Sequence, residues 1–259
     1  MNKYCAGLFL TCFCLLFSAS CVKAQEPLQI SLFPDRIAID TFYNGIKVAI
    51  SGTLPADCEV IIRVTGDPIE LKMKKKGKVF GLLWMNRETV TFESTPEAFL
   101  LYTAKKFDDL LDGRQKDAPV WQLGMKALQN SIIIKPGTAD RDVLLGDLMK
   151  LKEKEGFYVV QERVHYTQLP DSRKKFESEL TIPPKLPPGM YKVETYAVRS
   201  GEIISRYEHP LSISLESFPK LLSTLAFQHG ALYGILAAVI AIAAGLLSGL
   251  LFRGGKGAH

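Results

Sequence analysis

From Gly230 to Phe252 the chain runs for 23 residues without a charged side chain. A helix rises about 1.5 Å per residue, so this run reaches about 34 Å and spans a hydrocarbon layer of about 30 Å with some tilt. One transmembrane helix is therefore expected at the C-terminal end, and whatever folds in water must precede it. Arg253 and Lys256 follow at once, with seven residues remaining. Positive flanks favour the cytoplasm, so residues 253–259 are expected inside and the preceding domain outside.

The N-terminal end carries a second, shorter apolar block. Met1-Asn2-Lys3 gives a basic start, Tyr4 to Phe17 an apolar run, and Ser18 to Ala24 a small-residue exit. Fourteen residues make a helix of about 21 Å, too short to span but suited to a secretory signal peptide. Val22-Lys23-Ala24 fits the small-x-small cleavage rule, which puts the mature start at Gln25. A rival reading makes Cys21 a lipidated first residue. Ser18 stands where a lipobox wants a large aliphatic side chain, which disfavours that reading.

Removing the two ends changes what the composition means. The whole chain has a formal charge of +5, but four of its 32 Lys and Arg lie in the leader and tail. The outer domain holds 28 positive against 27 negative residues, so its near-neutral balance gives no reason to expect nucleic acid. Cys5, Cys12, Cys14 and Cys21 leave with the leader, and Cys58 remains alone. No internal disulfide is then available, and Cys58 is expected as a small buried hydrophobe beside a strand at Val60–Val64.

Between the ends the pattern is mainly β. Ile37 and Ile39, then Ile46, Val48 and Ile50, alternate on either side of Asn44-Gly45, a strong hairpin signal. Val60–Val64, Ile69–Met73, Thr89–Phe92 and Phe99–Tyr102 follow as short strands. Turn residues every 8–12 positions or so point to an antiparallel sandwich. The period then changes. Phe107, Leu110 and Leu111, then Trp121, Met125 and Leu128, then Leu144, Leu148 and Leu151 repeat at helical spacing, and Gly156 stops the last run. Three short helices are expected between Lys105 and Glu155. The Trp121 and Met125 stripe is expected in the core, with a ligand groove as the alternative. Strands resume at Phe157–Val160 and Phe176–Ile182. Pro187-Pro188-Gly189-Met190-Tyr191 opens a hairpin that Arg199-Ser200-Gly201 turns back, and Leu211, Ile213 and Leu215 close the set. The expected fold is mainly β, with antiparallel immunoglobulin-like sandwich lobes, a short helical insert and one C-terminal transmembrane helix. The expected division is signal peptide 1–24, β lobe 25–103, insert 104–156, β lobe 157–218, juxtamembrane 219–229, span 230–252 and tail 253–259. The second lobe is short of strands, so it alternatively completes the sheets of the first.

Motifs that carry chemistry are scarce. His165, His209, His229 and His259 are dispersed, and H-E-x-x-H, C-x-x-C, G-x-S-x-G and phosphate-binding glycine loops are missing from the sequence. The expectation is a protein that is no enzyme and uses no metal or other cofactor. Four features remain. Lys74-Lys75-Lys76-Gly77-Lys78 is the densest charge and could bind an anion, lipid headgroups or an acidic partner. Its plain reading is a solvated hairpin tip. Trp84, Asn86 and Arg87 combine an aromatic, an amide and a cation on one strand, a recognition surface or else a core Trp with polar neighbours. His165 beside Arg163 reads as a surface strand histidine, with a pH-sensitive contact as the alternative. Within the span, Gly230 and Gly234, then Ala237, Ala241, Gly245 and Gly249, recur at spacing four and form a candidate helix-packing face.

The basic run, the Trp84-x-Asn86 strand, Val90-Thr91-Phe92 with Pro96, the Pro187-Pro188-Gly189-x-Tyr191 hairpin and the terminal span together resemble an uncharacterised bacterial transmembrane protein family of alphaproteobacterial type. The resemblance covers nearly the whole mature chain. It implies a bacterial inner-membrane protein with a periplasmic domain, and it supplies no catalytic residues. Relatives encoded beside sulfite-exporter-type permeases would imply a transporter as partner. A seven-residue inner tail leaves no room for a signalling domain, so any outside event would pass sideways within the membrane. The expected function is an anchored accessory or assembly subunit of a multi-span membrane partner. The alternative is a tethered periplasmic module that binds a ligand or anion.

Overall fold

Period-two alternation of apolar residues organises most of the chain into strands, and the structure, a computed structural model, describes residues 29–79, 83–111, 113, 118–136 and 141–252. The expected signal peptide and cytoplasmic tail lie outside the described residues. In chain order the strands are β1 (Gln29–Phe33), β2 (Arg36–Ile39), β3 (Ile46–Pro55), β4 (Glu59–Thr65), β5 (Pro68–Val79), β6 (Leu83–Pro96) and β7 (Phe99–Thr103). Two 3-10 turns, Phe107–Leu111 and Pro119–Leu123, lead to α1 (Met125–Ser131), β8 (Ile133–Lys135) and α2 (Arg141–Lys154). Then come β9 (Tyr158–Glu162), β10 (His165–Gln168), β11 (Arg173–Ile182), β12 (Gly189–Arg199) and β13 (Glu202–Leu215), followed by α3 (Ser217–Gln228) and α4 (Gly230–Phe252).

The strands form three sheets. One has the order β1-β3-β11-β10, the second β2-β13-β12-β4-β7-β9 and the third β5-β6-β8. The first two enclose one apolar cluster that includes Val48, Ile50, Phe176 and Leu180 from one sheet and Ile62, Val64, Val193 and Ile213 from the other. Along β11 the alternation is complete, with Phe176, Ser178, Leu180 and Ile182 buried and Glu177, Glu179 and Thr181 exposed. Two tyrosine hydroxyls clasp the sheets. The Tyr102 hydroxyl on β7 accepts from the Thr181 N–H at 2.9 Å and donates to its carbonyl at 3.3 Å. The Tyr166 hydroxyl on β10 accepts from the Val60 N–H at 2.9 Å and donates to Glu59 at 2.8 Å. Each phenol crosses between sheets with its polar end satisfied, as burial demands.

Four expectations change here. The stretches 25–103 and 157–218 do not sort into separate sheets: β11 pairs with β3 along its length, and β12 lies between β4 and β13. The alternative, in which the second stretch completes the first sheet system, is the pairing observed. Asn44-Gly45 does not close a hairpin either. β2 pairs in parallel with β13, whereas β3 pairs with β1 and β11, so the chain crosses from one sheet to the other between them. Asp40 turns the chain early by accepting from the Phe42 N–H at 2.9 Å. Gly45 keeps its role as a left-handed position, at φ +83°, and an added Cβ there would lie 2.8 Å from the Ile182 carbonyl oxygen. The insert is not wholly helical, because β8 pairs with β6 through Thr91–Glu93 and belongs to the third sheet. The last strand is one continuous 14-residue segment, not two pieces, and it meets β12 across Ser200 and Gly201, both at positive φ as a tight hairpin requires.

The second sheet is also covered on its outer side. Ile61 and Leu101 are buried there, and the Pro119–Leu123 turn packs against β13 with Val120 and Leu123 inward. Cys58 is buried at the head of β4, as expected. Burial pushes its thiol upward, which keeps it protonated and unreactive.

Candidate interaction surfaces

β5 and β6 are 12 and 14 residues long, and together they make an antiparallel ribbon. β8 supports only Thr91–Glu93 of β6, so the ribbon beyond that point is two-stranded. The basic run is not its tip. Lys74–Lys78 continue β5, which runs on to Val79 and pairs there with Leu83; residues 80–82 lie outside the described residues. Gly77, read as a turn signal, instead pairs with Met85, close to a register shift between Lys75 and Lys76. A glycine inside a strand often marks such an irregularity.

Register brings the two sequence-singled segments face to face. Lys74 pairs with Thr89, Lys76 with Asn86 and Lys78 with Trp84; these alternate positions share one face of the ribbon. Position 87 is the extra residue of the shift. The side chains of Lys75, Lys78, Trp84 and Arg87 lie outside the described residues, and their backbone pairing alone is described. Lys74, Lys76 and Asn86 are exposed, and neither lysine has an ion-pair partner among the described residues. The base of the ribbon is different: Lys135 meets Glu93 at 2.8 Å and Lys72 meets Glu70 at 3.1 Å. The hydrogen bond and charge of Glu93 raise the pKa of Lys135, which holds that lysine charged at the base of the ribbon. On the other face Met85 is 52% exposed and pairs with Gly77, and Leu83, 63% exposed, pairs with Val79. Basic and apolar groups on opposite faces suit contact with an acidic, partly apolar surface.

A second surface is the span. No part of α4 from Gly230 to Leu250 is buried within the chain. Added Cβ atoms at Gly230, Gly234, Gly245 and Gly249 would meet nothing within 4 Å. Gly230 and Gly234 near the start, then Ala241, Gly245 and Gly249 at spacing four, share one side of the helix.

The third feature is a cleft of about 940 Å³ between the insert and the β7–β9 edge. Phe107, Trp121, Met125 and Val160 line it, with Lys106, Asp108, Lys126 and Glu162 among its polar neighbours. Trp121 and Met125 pack against the core, as expected, and also line this cleft. Its edge strand β9 was legible, and so was the helical character of its other wall, although two of the three short helices there are 3-10 turns. His165 is exposed on β10 opposite Glu177. Among the described residues no three His, Cys, Asp or Glu side chains converge as a metal site.

A β-rich domain followed by an uncovered apolar helix defines a membrane-associated protein. Residues 27–254 match the family described as "Putative transmembrane protein", and the chain belongs to that family, the one its motifs resemble. No curated protein matches the chain.

Proposed function

We propose that this protein is a membrane-anchored accessory or assembly subunit whose span packs on a multi-span partner such as a transporter. In this reading residues 1–24 are a cleaved signal peptide and α4 is a single crossing of the inner membrane. The domain, a sandwich of immunoglobulin-like kind, stands in the periplasm, with the tail in the cytoplasm, and it presents surfaces but performs no catalysis. The observation that carries the reading is the small-residue side of α4, open along Ala241, Gly245 and Gly249 in a helix that its own domain leaves uncovered. In lipid, close backbone approach at such residues drives helix association, because apolar burial alone does not distinguish a helix neighbour from lipid.

The test is co-purification of the tagged full chain from mildly solubilised native membranes, with mass spectrometry of what comes with it. A stoichiometric multi-span protein is expected, lost in Gly245→Leu while the domain stays folded. A chain that emerges alone from several detergents, or a partner indifferent to Gly245→Leu, overturns the reading. The second reading, a tethered ligand- or anion-binding module, is favoured by the cleft beside Trp121 and the unneutralised Lys74 and Lys76. It expects binding that weakens with salt and falls when Lys74, Lys75, Lys76 and Lys78 are replaced together.

A further inference from the structure

The twelve residues of α3 join the last strand to the span. Phe218, Leu221, Leu222 and Leu225 recur at i, i+3, i+4 and i+7, which places them on one helix face. Lys220 and Ser223 lie on the opposite side, Ser217, Thr224 and Gln228 run along the flank beside Leu221, and Phe227 breaks the pattern of the polar side, in the last turn beside the span. In a water-soluble domain such an apolar face packs inward. Here no residue of α3 is buried; Phe218 and Leu221 are 53% and 54% exposed and Leu222 38%.

What covers that face follows from how α3 is joined. His229, at φ −131° and ψ 49°, is the one residue between α3 and α4. Its N–H donates to the Leu225 carbonyl at 3.1 Å, and its carbonyl accepts from the Tyr233 N–H at 3.0 Å. The joint is a hydrogen-bonded break in the helix, not a free linker. Since α4 enters the bilayer at Gly230, the C-terminal end of α3 is held at the membrane surface by covalent continuity.

We propose that α3 is an interfacial helix, lying on the same bilayer that α4 crosses, with Phe218, Leu221, Leu222 and Leu225 set into the boundary between headgroups and acyl chains. Lys220 and Ser223 then face headgroups and water, the arrangement amphipathic surface helices adopt. Tyr233, 42% exposed in the first turn of α4, stands at the depth where amphipathic rings collect. The helix bears one cation, Lys220, so its attachment rests on apolar insertion and the neighbouring span, not on anionic lipid. The consequence is mechanical. Leu215, the end of β13, is held against the membrane, and the domain cannot swing freely on its anchor. This inference rests on membrane insertion of α4 and is independent of any partner.

The test places benzoylphenylalanine singly at Phe218, Leu221 or Leu222, and at Lys220 or Ser223 as the opposite face, in the full chain. The chain is reconstituted in nanodiscs of phosphatidylethanolamine and phosphatidylglycerol and irradiated, and adducts are read by mass on the α3 peptide. Lipid adducts are expected from the first three positions and several-fold fewer from the other two. Equal lipid adducts from both faces, adducts to protein from the apolar face, or none from either face overturn the proposal. A paired Leu221→Glu, Leu222→Glu variant keeps the chain in the membrane through α4 but should lose the lipid adducts of a probe at Phe218. Retention of those adducts overturns it as well.

Discussion

Glu194 on β12 is 4% exposed, and three donors converge on its carboxylate. Arg63 Nε lies at 2.8 Å, an Arg206 nitrogen at 2.6 Å and the Tyr196 hydroxyl at 2.8 Å. Burial alone would raise the carboxyl pKa, but the two guanidiniums and the phenol outweigh it and hold it below its ordinary 4.5. Because the folded pKa is depressed, this ion cluster stabilises the fold fully above about pH 4.5 and loses its contribution as pH falls below that value. Glu194→Gln leaves the half-buried Arg63 without its counter-charge and should cost about 2 kcal/mol at pH 7, a modest figure because Arg206 is half in water. Denaturant melts of wild type and variant at pH 7 and below pH 4 should show this gap closing in acid. A gap that persists at low pH would mean the cluster is not what stabilises the site. No sequence signal marks this residue. Arg63 and Glu194 are 131 positions apart, and Glu194 occupies the alternate position of a hairpin that reads as solvent-facing.

At the scale of elements, the β5–β6 ribbon separates a stabilising base from an outer part that contributes little to the core. Val90 and Phe92 belong to the apolar cluster and Leu71 and Met73 pack against it, whereas Met85 and Leu83 stand in water. Lys75 and Glu88 are directly paired, so an Asn-Gly turn between them in place of residues 76–87 would close a short hairpin. That shortened chain is expected to keep its stability within about 0.5 kcal/mol, read by thermal or denaturant unfolding. A loss of several times that size would show that the outer ribbon is part of the folding unit. The ribbon was half legible. The basic run and the Trp84-Asn86-Arg87 segment stood out as charge and aromatic clusters, but Gly77 looked like a turn because a strand glycine and a turn glycine carry the same local signal. β8 was missed although Ile132-Ile133-Ile134, a β-branched run closed by Pro136, was there to be read; a three-residue strand leaves too short a period to recognise.

At the scale of the molecule, the first and last thirds of the domain are woven together. The order β1-β3-β11-β10 puts the partners of β3 on both sides of the insert, and β2-β13-β12-β4-β7-β9 does the same for β4. A fragment of residues 25–103 would therefore expose an edge of β3 and an edge of β4 that are interior in the whole chain. It is expected to stay unfolded by circular dichroism and amide NMR, and to gain structure when residues 157–218 are added. A fragment that folds alone would return the two-lobe division. The sequence by itself determined the apolar span, nearly every strand, the Ser200-Gly201 turn, the burial of Cys58 and the family, because hydropathy period, length and turn chemistry are properties of neighbouring residues. Tertiary structure decided which sheet each strand joined, that β2 and β3 part company at Gly45, that Glu194 is enclosed, and that the lysines lie opposite Trp84 and Asn86. Those outcomes depend on which distant strand buries the most apolar surface and satisfies the most backbone hydrogen bonds, a choice made over the whole chain at once.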